Sequence, residues 1–335
     1  MFALVQMHFP TNNGADKFES RWRSRFYARH RLTTRRRTNK KSLDLAARID
    51  KWVTYHNNTR EFLKKGAQQS PKYGSFIPEN RYNVDQIPCP FEFSGDTTID
   101  SIGAETVAIR GSKMGEGDKR MCTIQMCCRA RGSQPRIAVI FRGKGQFLKN
   151  ELGLYDARVD VFAQAKAWAD RETSVRWLKE TFKKHISERT RQEGGIRPRT
   201  LMFCDNLDAQ VHDGFLDELK RNGTTRNLLV AGETEMLQPI DAGIGSTIKI
   251  IMGQIQDEWL DRDDNLNLWE SSDLNARERR ILITQWLGEA WERLTTSPAY
   301  VDTFFKSFQK TGFVLKKIFP FQNLSVLFFR CINHH

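Results

Sequence analysis

Three aspartates offer the most direct chemistry in this sequence. Asp85 lies in NVDQIP, Asp205 directly follows the apolar run TLMFC and precedes Asn206, and Asp241 lies in LQPID. Carboxylates gathered at one place repel one another and raise each other's pKa unless a cation sits among them. Their hard oxygens suit Mg²⁺ or Mn²⁺, which keep coordination positions open for water and phosphate oxygens. Two such ions, about 3.5–4 Å apart, can stabilise both the attacking and the leaving oxygen of an in-line phosphodiester displacement. Each residue also has an ordinary reading. Aspartate is a common turn residue after a strand, which serves for Asp205. It is a good N-cap at a helix start, which serves for Asp241. Asp85, ahead of an Ile-Pro pair, reads equally as loop.

The elements that would position these residues follow from periodicity. Short strands are expected at RYNVDQ (81–86), ETVAIRG (105–111), MCTIQMCCRA (121–130), RIAVIFRG (136–143), TLMFCDN (200–206) and RNLLVAG (226–232). A long helix is expected from about Val161 to Ile186, another over 211–222, and a third from about Asp241, with Ile244, Ile248, Ile251, Met252 and Ile255 on one face. A further helix begins near Asn275, where Asn275 and Glu278 match a capping box. The early strands, joined by turns, should be antiparallel; the later ones, separated by helices, parallel. The expected fold class is therefore α/β, a mixed sheet of about five strands with helices on both faces. In such a sheet, strand ends and helix starts converge on one edge, so the three aspartates can meet.

Charge divides the chain. Its 335 residues carry +13, but residues 1–76 hold 17 Lys/Arg against five acids, leaving the rest nearly neutral. A strongly basic arm implies a polyanionic partner. The segment DKFESRWRSRFYARHRL (16–32) has helical spacing, and Arg35, Arg36 and Arg37 follow it. A second amphipathic stretch, from Ser42 to about Leu63, puts Leu45, Ile49, Trp52 and Val53 on one face. Residues 66–79 read as a linker.

Other chemistry is excluded by motif. GSKMGEGDK (111–119) lacks the order of a P-loop, no HExxH is present, and the six cysteines make no CxxC pair. Cys127 and Cys128 are expected on opposite faces of a strand, one in the core and one at the surface. Tryptophans 168, 177, 259, 269, 286 and 291 are expected mainly on helices, packed in the core. The apolar tail 313–332 is interrupted by Lys316, Lys317 and Pro320, so no membrane span is expected.

The stretch from about residue 80 to 312 resembles the DDE superfamily endonuclease domain of pogo-like transposases, related to the mariner group. The resemblance rests on NVDQIP, WLKETF, TLMFCDN and TEMLQPIDAGIGSTIK, with 35 residues between Asp205 and Asp241. It implies a ribonuclease H-like fold in which Asp85, Asp205 and Asp241 are the catalytic triad and hold Mg²⁺ or Mn²⁺. It also implies double-stranded DNA as partner, both transposon ends and target, and a nuclear location; homo-oligomerisation is left open. The N-terminal segment resembles the last helix and exit of a centromere-protein-B-type helix-turn-helix, with Arg21, Arg25, Arg29, Arg35, Arg36, Arg37, Lys40 and Lys41 as DNA contacts. The implied organisation is a small all-α basic segment (1–65), the linker, the nuclease domain (80–312) and an atypical apolar tail (313–335). The rival reading is a domesticated, catalytically inactive DNA-binding protein.

Overall fold

The structure is a computed structural model that describes residues 25, 27–29, 45–64, 75–91 and 120–314, apart from 263 and 272. The chain divides into a unit formed by Ile49–Ile318 and another formed by Met1–Arg48 with Phe319–His335. The second lies almost wholly outside the described residues, as does the expected strand at 105–111.

The first unit is built on six strands: β1 (Arg81–Pro90), β2 (Met121–Arg129), β3 (Ile137–Arg142), β4 (Val159–Gln164), β5 (Thr200–Cys204) and β6 (Thr224–Leu228), in the order β4-β3-β2-β1-β5-β6. β2 runs antiparallel to β1 and β3; the β3–β4, β1–β5 and β5–β6 pairs are parallel. A single reversed strand next to the central one, with the rest parallel, is the ribonuclease H-like arrangement, here extended by β4 at one edge.

β4 corrects the sequence reading, which placed a helix from Val161. Val159–Gln164 instead pairs residue for residue with β3. The helix starts only at Asp170, whose Oδ1 accepts the Thr173 amide at 2.8 Å as an N-cap. The sequence reading placed Phe162 in one helix with Trp177 and Phe182. They do meet, but across the sheet–helix interface of one core cluster. α2 (Gln146–Glu151) lies between β3 and β4. α3 (Arg171–Trp177) continues through a π turn (Leu178–Phe182) into α4 (Lys183–Gln192). Between β5 and β6 come α5 (Asp208–Val211) and α6 (Asp213–Arg221).

After β6 come α7 (Thr234–Leu237), a second π turn (Ile240–Ile244), α8 (Gly245–Leu260), α9 (Asn265–Glu270), α10 (Ala276–Thr296) and α11 (Thr303–Lys310). α10 opens with the expected capping box, Asn275 accepting from the Arg277 and Glu278 amides while Glu278 accepts from the Asn275 amide.

With helices on both faces, alternation no longer separates inside from outside. Cys127 and Cys128 are both fully buried, against the expectation that one is at the surface. Trp168 departs the other way: it sits in the loop after β4 and is exposed, while Trp177, Trp269, Trp286 and Trp291 are core residues as expected.

The helix Leu45–Lys64, here α1, groups with the body from Ile49 on. Trp52 is buried and donates to Glu233 Oε2 at 2.9 Å; Tyr55 donates to Asn227 Oδ1 at 2.8 Å. Phe313 and Val314, assigned to the atypical tail, are buried, and Phe313 stacks on Phe203 with ring centroids 3.9 Å apart. The apolar character of that tail thus begins as core.

Candidate active site

β1 and β5 run in parallel register, with Asn83 opposite Phe203. Two residues further along each chain come Asp85 and Asp205, at the carboxyl ends of the pairing and on the same face. Asp241 enters from the π turn that leads into α8. The charges of Asp241 and Asp205 both act on Asp85. All three sequence-predicted aspartates therefore lie at one edge, near enough for the other two charges to act on Asp85. Asp85 and Asp205 are half-buried, and Asp241 is exposed.

One buried side chain joins the three elements. Asn83 Nδ2 donates to the Phe203 carbonyl, and Asn83 Oδ1 accepts the Ile240 amide, each at 3.0 Å. Phe203 lies two residues before Asp205, and Ile240 immediately precedes Asp241. An asparagine can serve both because its amide carries a donor and an acceptor at fixed separation. Sequence reasoning passed over Asn83, and no local signal marks it: its partners are 120 and 157 residues away.

The QPID motif has a similar explanation. Gln238 is buried beside Asp85, and its side chain acts to lower the Asp85 carboxyl. Three residues on, Asp241 projects from a turn that needs its glycines. Gly243 has φ of 150°, a conformation side chains rarely adopt, and a Cβ on Gly245 would lie 3.2 Å from Ile87 Cδ1 of β1. The turn therefore sits directly on the strand bearing Asp85. α11 closes the far side, where Lys310 Nζ donates to the Ala242 carbonyl at 3.2 Å, beside Asp241.

Asp205 is fixed by its loop. Its amide donates to Gln210 Oε1 at 3.0 Å, and its Oδ1 accepts the Asn206 amide at 2.7 Å. Asn206 in turn donates to the Leu229 carbonyl at 2.5 Å, tying the end of β5 to the chain leaving β6. The Asp-Asn pair is thus one acid and one brace.

Burial first, and the charge of Asp241 next, push the Asp85 carboxyl up to about 7. The Gln86 amide and Gln238 oppose this rise, while Asp205 adds to it. The hydrogen bonds given to Asp85 do not offset its burial and its like-charged neighbours. Hard carboxylate donors with uncompensated negative charge fit a divalent cation such as Mg²⁺. Among the described residues, no three His, Cys, Asp or Glu side chains converge within the bite of one ion, so the carboxylates are coupled at longer range.

Of the expected DNA contacts, Arg25 and Arg29 are helical and exposed; Arg21, Arg35, Arg36, Arg37, Lys40 and Lys41 lie outside the described residues. The five described cysteines are buried and free, and no helix among the described residues is long and apolar enough to cross a membrane.

Residues 119–298 match the DDE superfamily endonuclease family. The chain belongs to that family. The match contains Asp205 and Asp241, and Asp85 lies ahead of it. Among solved structures, the chain is similar to the Mos1 mariner paired-end complex with Mn at 11% identity. That match covers 88% of this chain and 77% of that one, with a TM-score of 0.44. A pre-cleavage Mos1 transpososome matches at 10% identity over 87% of this chain and 75% of that one, TM-score 0.42. The Mos1 catalytic domain with Raltegravir and Mn matches at 12% identity over 76% and 95%, TM-score 0.37. No curated protein matches the chain.

Proposed function

We propose that this DDE endonuclease cuts and joins DNA, using Asp85, Asp205 and Asp241 as its catalytic carboxylates. The observation that carries the reading is the placement of these three at one sheet edge, from three elements locked together by Asn83. Water oxygen would attack the phosphorus in line and the bond to O3′ would break, leaving a 5′-phosphate and a 3′-OH; that 3′-OH would then attack a target phosphodiester, displacing the target strand's own 3′-oxygen. Mg²⁺ or Mn²⁺ is the cation that carboxylates of this kind would hold, and it would supply positive charge to the reacting phosphodiester. The protein's own part is positioning. Asn206 braces the Asp205 loop, and Lys310 holds the turn that presents Asp241. The basic arm, read as the remnant of a helix-turn-helix in a pogo-like transposase, supplies phosphate contacts in the nucleus.

The test is nicking of supercoiled DNA by purified protein. We expect nicking with Mg²⁺ or Mn²⁺, none with EDTA, and none from Asp205→Asn or Asp241→Asn. Activity surviving either substitution rejects the site. The wider spacing of the carboxylates favours the second reading, an inactive DNA-binding protein; binding without metal-dependent nicking would establish it. For the arm, replacing Arg35, Arg36 and Arg37 with Ala should flatten the log–log salt dependence of DNA binding by up to about 3 units. An unchanged slope removes the arm from the phosphates.

A further inference from the structure

Trp168 is the only exposed tryptophan among the described residues, at 46%, whereas Trp52, Trp177, Trp269, Trp286 and Trp291 are buried. A lone exposed hydrophobic residue needs no explanation in itself. The way this one is held does. Its neighbours Ala167 and Ala169 are both buried. Ala167 has φ of 57°, the left-handed region, and is the only non-glycine residue described there. Thr123 Oγ1 of β2 donates to the Ala167 carbonyl at 2.5 Å, and the Ala169 amide donates to Gln86 Oε1 of β1 at 3.1 Å. Strain concentrated at an anchored loop is a recurring mark of a functional position. Here it fixes the backbone on both sides of an indole left in water.

The anchors also place the loop. Gln86 follows Asp85 in β1 with its side chain on the opposite face, so Trp168 stands at the carboxyl edge of the sheet that carries the aspartates, on its other face. The loop after β3 joins it there, through the Gly143 amide donating to the Gln164 carbonyl at 3.0 Å. These two loops expose Arg142, Lys144 and Lys166, and none of the three makes an ion pair among the described residues. By contrast, the nearby Arg171 is paired with Asp208. A flat aromatic face set among free cations is complementary to a nucleic-acid strand, whose bases stack and whose phosphates are anionic.

From this we infer that the rim holds the DNA strand beside the aspartates, Trp168 stacking on a base that has left its pair while Arg142, Lys144 and Lys166 contact the flanking phosphates. The inference rests on the DNA-cutting reading given above, and extends it to the way the substrate strand is gripped.

The test uses the full chain and a single-stranded oligonucleotide carrying 2-aminopurine at successive positions. Stacking should quench the fluorescence at one or two positions. Trp168→Ala should abolish that quench and weaken binding by on the order of 10-fold, with the salt dependence unchanged. Trp168→Phe should retain most of both, which separates stacking from a loss of fold. Changing Arg142, Lys144 and Lys166 together to Gln should keep the quench and flatten the salt slope by up to about 2 units. A Trp168→Ala protein that binds and quenches like the wild type overturns the inference, whether or not the protein nicks DNA. Wild-type protein that fails to bind the oligonucleotide overturns it as well. So does a Trp168→Ala effect confined to the sedimentation mass of the DNA-free protein, which would make the rim a contact between two copies. Trp168-dependent quenching in a protein that never nicks DNA supports the rim and rejects the nuclease reading instead.

Discussion

Tyr82 and Asp85 lie three residues apart on β1, yet their surroundings treat a buried polar group in opposite ways. The Tyr82 hydroxyl accepts from Arg189 Nη1 at 2.8 Å and shares a hydrogen bond with His185 Nε2 at 3.1 Å. Arg189 also donates to Asn80 at 2.8 Å and pairs with Glu193 at 2.6 Å, so each charge in that network has a partner. At Asp85 the neighbours are two more carboxylates, and the donors from Gln86 and Gln238 do not balance them. A satisfied network stabilises and specifies one packing. An unbalanced one reduces stability and is retained where it serves a ligand or a reaction. The contrast says which end of β1 is built for folding and which for chemistry.

The largest effect that tests this contrast is on catalysis. Asp205→Asn should lower metal-dependent nicking by at least about 10²–10³-fold, the scale for losing one preorganised charge-stabilising group, with little change in thermal stability. A comparable loss of stability would instead place Asp205 with the folding residues. Next comes Asn83→Leu. It leaves the Ile240 amide and the Phe203 carbonyl unpaired, at roughly 1–3 kcal/mol each. Because the three aspartates hang on those groups, nicking should fall about 10- to 100-fold, as for residues that orient metal ligands. Nicking at the wild-type rate by protein still folded would mean the triad is aligned by other contacts.

Two pH measurements sharpen the comparison further. Asp85 is raised to about 7 from an ordinary value near 4, so the folded chain binds the extra proton. Its contribution to stability is present below about pH 4, declines as pH rises, and is lost above about 7. Without metal, Asp85→Asn should therefore be more stable than wild type by about 2–3 kcal/mol at pH 8 and nearly equal at pH 4, by urea unfolding. A gain that does not vary with pH would contradict the unbalanced site. His185 has the opposite sign. Burial lowers it to about 3, with Arg129 and Arg189 adding to the effect. Its stabilising effect is full above about pH 6.5 and is lost as pH falls toward 3. His185→Gln should cost little at pH 7 and recover about 1–2 kcal/mol relative to wild type by pH 5. An identical acid profile for both proteins would remove His185 from the network.

The sequence alone determined what depends on near neighbours. Strand runs, the capping box at Asn275, the antiparallel start and the parallel remainder follow from alternation, turn length and cap chemistry, which act over a few residues. Asp205 and Asp241 stood out because each sits at an element boundary, and all three because the NVDQIP, Asp-Asn and QPID motifs resemble one family; Asp85 itself lies inside β1. What the sequence could not decide depends on contacts between distant segments. The sequence reading ran β4 into the helix that carries Trp177 and Phe182; pairing with β3 decides otherwise. Cys128 and Phe313 are core only because helices cover both sheet faces and the segment after α11 brings Phe313 onto Phe203. Asn83 joins residues 120 and 157 positions away, so only the tertiary structure shows that one amide sets three carboxylates against each other. The same holds for Trp168. Periodicity puts an indole inside, and only the anchored loop at the sheet edge leaves it in water.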